Sequence, residues 1–153
     1  MPFEVLEHRA DAGIRVSGAT VEEVFVSAAA GMFHVISEEP PPGWDESRKL
    51  YMEAGDAAGL LVDWLSELLF LLEVKHFWVT GTSVNIIEER IEEKEKDKEG
   101  KGRGEKKYIL EAEVKGLRFS GSFSGTEIKA VTYHKLEIIE SAEGYETEIY
   151  FDL

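Results

Sequence analysis

The chain has 153 residues, of which 43% are apolar and 31% charged; it carries no cysteine and a formal net charge of −14. That length suits one domain able to bury a core without staples, and the missing cysteine excludes a disulfide scaffold, a thiolate zinc site and a cysteine nucleophile, in keeping with a reducing, cytoplasmic setting. The acidic balance argues against strong direct binding of nucleic acid, and the longest apolar runs, such as Leu68 to Leu72, fall far short of the ~20 residues that a membrane-spanning helix needs.

Taken in order, Phe3 to Glu7 alternates apolar and polar residues and predicts a strand, and Gly13 to Ser17 a second short one. His8 to Ala12 is the tight connection between them. Thr20, followed three residues later by Glu23, opens a helix as a capping box. Val21, Val24, Phe25, Ala28, Met32, Val35 and Ile36 then recur on one helical face. Pro40-Pro41-Pro42-Gly43 is a loop. Arg48 to Glu53 predicts a strand, and Asp56 caps a second helix running to about Val74. That helix is apolar on more than one side, with Asp63 and Glu67 on its polar stripe, so it should be the most buried element.

Phe77 to Thr80 and Ser83 to Glu88 predict strands, as does Tyr108 to Lys115. Between them, about 92–107, lies a stretch without an apolar face; from Lys94 to Lys107 it holds seven bases and four acids. It reads as a charged, flexible hairpin tip. Ser120 to Gly125 is a loop, Ile128 to Ile139 is strand-like, and Ala142-Glu143-Gly144 is a turn. Tyr145, Thr147, Ile149 and Phe151 share one face of a last strand. The whole predicts a single domain over 1–153 of the α+β class: a two-layer arrangement with two main helices packed on a mostly antiparallel sheet.

Four constellations carry polar side chains that could do chemistry. In Glu7-His8-x-x-Asp11, Asp11 is either an oxygen donor to a metal, with His8 in or behind its coordination shell, or the start of an Asx-turn. At Asp152-Leu153 two carboxylates could share a cation or simply be solvated. In the run Glu127 to His134, Lys129 is either a partner for clustered carboxylates or a snorkelling lysine, and His134 could titrate near neutral pH. The acidic stripe Asp56, Asp63 and Glu67 reads as a solvated helix face. There is no phosphate-cradling loop, nucleophile elbow or His-Glu-x-x-His motif. With four histidines in all, any metal should be a hard cation on oxygen, calcium or magnesium before zinc.

These residues resemble a known family. His8-Arg9-Ala10-Asp11-Ala12-Gly13-Ile14 is similar to the His-x-Ala-Asp-x-Gly signature of archease. Leu60 to Leu68 resembles that family's central helix, Glu127-Ile128-Lys129-Ala130-Val131-Thr132-Tyr133-His134 its most recognisable run, and Asp152-Leu153 its acidic-plus-apolar ending. The resemblance implies the archease fold, built on a strand-helix-strand-strand module. It implies a protein that is not itself an enzyme but an activator of the RtcB-type RNA ligase, which joins 3′-phosphate and 5′-hydroxyl ends in tRNA splicing. Activation there means faster guanylate loading of the ligase and multiple turnover. It also implies a divalent metal, calcium ahead of magnesium, on Asp11, Asp152 and the carboxylate of Leu153. His8, Glu127, Lys129 and His134 would then be second-shell or partner contacts. A chaperone role toward a tRNA methyltransferase is a further implication. One departure stands out: where relatives carry an acidic residue and an Arg-His pair before the Glu-Ile-Lys-Ala run, this chain has Leu117 to Phe123. A competing reading is a magnesium-dependent hydrolase using Asp11, Asp152 and Glu127; the charge of −14 and the lack of an evident general base count against it.

Overall fold

The computed structural model describes residues 2–7, 11–92, 104–121, 125–133 and 136–153, with the backbone alone for Glu7, Asp11, Ile91, Glu92, Gly104 and Glu105. His8, His134 and the segment 93–103, the middle of the expected charged tip, lie outside the described residues.

The chain opens with β1 (Phe3–Glu7) and β2 (Asp11–Gly18), paired antiparallel. β2 starts two residues earlier than its own sequence suggests. The cause is distant: β8 (Gly144–Asp152) supplies Asp152 and Phe151 as ladder partners for Asp11 and Ala12. Asp11 is therefore a strand residue, not part of the connection.

Thr20 caps α1 (Val21–Ile36), its hydroxyl accepting from the Glu23 amide at 3.2 Å, while the Glu23 carboxylate reaches back to the Ala19 amide at 2.6 Å. Asp56 caps α2 (Ala57–Glu73) by accepting from the Gly59 amide at 2.5 Å. Between the helices runs β3 (Glu46–Ala54), whose burial alternates residue by residue. β4 (Phe77–Glu92) is one long strand where two were expected; the break between them is an irregularity at Val79 to Gly81. β5 (Gly104–Arg118) pairs along all of it. Strand pairing thus claims Glu92 and Gly104 to Lys107 from the expected tip. Lys106 and Lys107 are held there by Glu88 at 3.3 Å and Glu53 at 2.8 Å.

The expected strand over Ile128 to Ile139 resolves into two short pieces, β6 (Ala130–Val131) and β7 (Ile139–Ser141). Both add to the same edge of β8, β6 at its C-terminal end and β7 at its N-terminal end. Strand propensity here depends on having a partner: the ladder forms where β8 offers one, and Thr132 just beyond β6 still donates its amide to the Tyr150 carbonyl at 3.0 Å. The turn at Gly144 has φ 127, and a Cβ there would lie 2.4 Å from the Gly18 carbonyl oxygen, so this corner admits only glycine.

The strands form two antiparallel sheets. One runs β1-β2-β8-β6 with β7 beside β8; the other runs β3-β5-β4. α1 packs on β1, β2 and β8 and also on β4, while α2 meets the second sheet and touches β6. That dual contact explains why both helices bury residues on more than one side. The class is α+β with two helices on antiparallel sheet, as expected, although the sheet is divided. Trp64, Phe25, Phe77, Phe151, Ile14 and Met32 fill the centre, and the Trp64 indole N–H donates to the Phe25 carbonyl at 3.0 Å, tying α2 to α1.

Candidate functional site

The site follows from the β2–β8 register. Ile14 faces Ile149, Val16 faces Thr147 and Ala12 faces Phe151; Ile14, Val16, Thr147, Ile149 and Phe151 are buried, so this set is the core face. Strand alternation assigns Gly13 with Tyr150, Arg15 with Glu148 and Ser17 with Glu146 to the outer face, and Asp11 pairs with Asp152 at the end of the same ladder.

Moving along that outer face, the acids near Arg15 are matched. Its guanidinium lies 2.9 Å from Glu148, 3.3 Å from Glu4 and 3.4 Å from Glu146, and the bond to Glu148 raises its pKa further above its usual value. Tyr150 donates its hydroxyl to Glu148 at 3.0 Å. Its ring lies across Gly13: a Cβ at position 13 would come within 2.9 Å of two ring carbons. The glycine of the His-x-Ala-Asp-x-Gly motif is there because a tyrosine from the last strand covers it.

At the far end the described residues give Asp152 no such match. Asp11 stands directly across the ladder from Asp152, and opposed residues on adjacent strands have Cβ atoms only ~5 Å apart. On the other side of Asp152, Ala130 is its partner and the Lys129 amide donates to the Asp152 carbonyl at 2.7 Å. Asp152, Leu153, Lys129 and Ala130 are exposed, and the Asp152 carboxylate has no ion pair among the described residues. Three motifs far apart in the chain therefore meet at one sheet end. Among the described residues no three His, Asp or Glu side chains form a ready cage for a cation; the Asp11 side chain is outside that description.

Glu127 goes elsewhere. It lines a cavity at the end of α2, with Glu73 and His76. Sequence reasoning missed Arg15, Tyr150, Glu73 and His76, and named Glu127 without its place beside the last two. For Arg15 the usable signal was its place in a strand whose neighbours are acidic; for Glu73 it was an acid in the last turn of a helix, against the helix dipole.

The sequence model of the Archease protein family (MTH1598/TM1083) matches residues 3–153. The chain belongs to the archease family. It is similar to the archease of Methanosarcina barkeri, with 38% identity over 99% of this chain and 95% of that one. It is equally similar to that of Methanosarcina mazei, at 39% over the same shares. Among solved structures, protein 1598 of Methanobacterium thermoautotrophicum superposes with a TM-score of 0.71 at 26% identity, covering 99% of both chains. An archease of Thermotoga maritima, described as a possible chaperone, shares the fold with a TM-score of 0.57 at 20% identity, over 97% of this chain and 94% of that one. The archease fold implied by the motifs is the fold observed. No helix among the described residues is long and apolar enough to cross a membrane.

Proposed function

We propose that this archease-family chain is a non-catalytic activator of an RtcB-type RNA ligase, promoting guanylate loading and multiple turnover in tRNA splicing. It works through a divalent cation, calcium ahead of magnesium, held by Asp11 and Asp152 with the carboxylate of Leu153 as a further donor. The register pair Asp11–Asp152 supports this reading most. Two carboxylates opposed across a ladder repel each other, and a cation between them removes the repulsion. An all-oxygen donor set suits a hard cation. Such an ion would supply positive charge next to bound phosphate, and the chain's own part is to hold it at the rim of a rigid sheet. Lys129, whose backbone N–H donates to the Asp152 carbonyl, stands beside that point as a partner contact.

The net charge of −14 favours association with the basic, phosphate-binding cleft of an RNA enzyme. The test is ligation of 3′-phosphate and 5′-hydroxyl RNA by limiting ligase, with and without this protein. Turnover beyond one product per ligase only in its presence supports the reading; identical turnover contradicts it. The alternative is a chaperone for RNA-modifying enzymes such as a tRNA methyltransferase; the Thermotoga maritima archease is described as a possible chaperone. It predicts suppressed aggregation of the partner enzyme without nucleotide.

A further inference from the structure

Away from the carboxylate end, the C-terminus of α2 borders a cavity of about 600 Å³, within the range of ordinary ligand sites. Leu72 and Phe119 give it apolar walls, and Glu73, His76 and Glu127 line its polar side. His76 adopts φ 51, the left-handed region that turns the chain out of the helix, and its carbonyl accepts from the Phe119 amide at 2.9 Å. The Phe119 ring stands edge-on to the imidazole at 5.3 Å between centroids. The walls are thus fixed by backbone as well as by packing.

Among the described residues the groove is electronegative without compensation. α2 has no basic residue in its last turn, so its exposed carbonyl end and Glu73 add their charges. Partial burial, together with the charge on Glu127, raises the Glu73 pKa above its usual value. Neither carboxylate has a hydrogen bond or ion pair among the described residues, and the exposed Lys75 pairs with neither. At the end of the same helix Phe70 and the capping Val74, four residues apart and so neighbours on its surface, are 44% and 56% exposed. A bare metal ion fits poorly: no three His, Asp or Glu side chains among the described residues gather to hold one, and it would leave the apolar walls unused. An anion is repelled. The complement is a cation on an apolar stem, and a planar guanidinium can bridge two carboxylates while lying along an aromatic ring.

We propose that this groove docks an arginine side chain of a partner protein, its guanidinium between Glu73 and Glu127 and its stem along Phe119. Phe70 and Val74 would take the apolar residues beside that arginine. The groove takes an arginine whichever enzyme is the partner, so it can be tested without the ligase.

The test is a ¹⁵N NMR titration of the full chain with N-acetyl-arginine methylamide, against the uncharged N-acetyl-norleucine methylamide and against calcium chloride. The proposal predicts saturable shifts centred on the amides of Glu73, His76, Phe119 and Glu127. It predicts binding at least about tenfold weaker for the norleucine compound and for the double variant Glu73→Gln/Glu127→Gln. The variant's spectrum outside the groove reports that it remains folded. No localised shift with the arginine compound, equal shifts with norleucine, or the same shifts from calcium alone would each overturn it.

Discussion

Asp11 and Asp152, nearly the whole chain apart in sequence, are direct ladder partners across β2 and β8. Further along the same face Arg15 offsets Glu4, Glu146 and Glu148, but the described residues offer Asp152 no counter-charge. Calorimetric titration of calcium should therefore show one site, weakened by about 2 kcal/mol or more in Asp11→Asn and in Asp152→Asn. Both variants should unfold at essentially the wild-type temperature, or above it in the absence of metal, because like-charge repulsion is removed. Undiminished calcium binding in both variants would remove the carboxylates from the site.

Gly13 lies beneath the Tyr150 ring. Gly13→Ala should cost about 1–3 kcal/mol by overpacking, measured by urea unfolding. In a Tyr150→Ala background the same change should cost much less, because only the Ile149 carbonyl oxygen, 3.3 Å from such a Cβ, then remains close. A double-mutant cycle reads the difference as coupling; additive effects would show that the ring simply swings aside.

Trp64→Phe removes the indole bond to the Phe25 carbonyl across the helix pair. The expected loss is about 1–2 kcal/mol, with the fold intact by amide dispersion. A variant as stable as wild type would mean that the packing of α1 on α2 does not use this bond.

Glu73 gives a pH dependence of a definite sign. Its folded-state pKa is raised, by partial burial first and then by Glu127. The folded chain therefore holds that proton more tightly than the unfolded one. Its contribution is unfavourable at neutral pH, and stability recovers as pH falls through the raised value toward the ordinary carboxyl range. Thermal unfolding of wild type and Glu73→Gln across this window should differ most at the upper end, with the variant the more stable. A constant difference at every pH would assign the effect to something other than this titration.

What the sequence revealed and what it hid divide along a physical line. Thr20, Asp56 and the alternating Tyr145 to Phe151 are local signals, and each marks the element that forms. The failures are non-local. Residues 128–139 have strand composition, but pairing is granted by β8, which takes β6 and β7 into its ladder. The division into two sheets follows from α1 and α2 each touching both, which no single amphipathic stripe announces. The pairing of Asp11 with Asp152 could be anticipated only through the likeness to a known family, because register between remote strands leaves no local trace. The groove of Glu73, His76 and Glu127 went unread for the same reason, although an acid closing a helix that has no basic last turn was a visible exception to the dipole rule.

The measurement that bears most directly on the proposed function is guanylate transfer to the cognate ligase at limiting ligase and saturating GTP. It should be run with no addition, with the wild-type chain and with Asp11→Asn. Acceleration by wild type that Asp11→Asn abolishes while remaining folded is the predicted result. Equal acceleration by both proteins would separate activation from the Asp11–Asp152 pair, and no acceleration by either, with a ligase shown to be active, would contradict the activator reading itself.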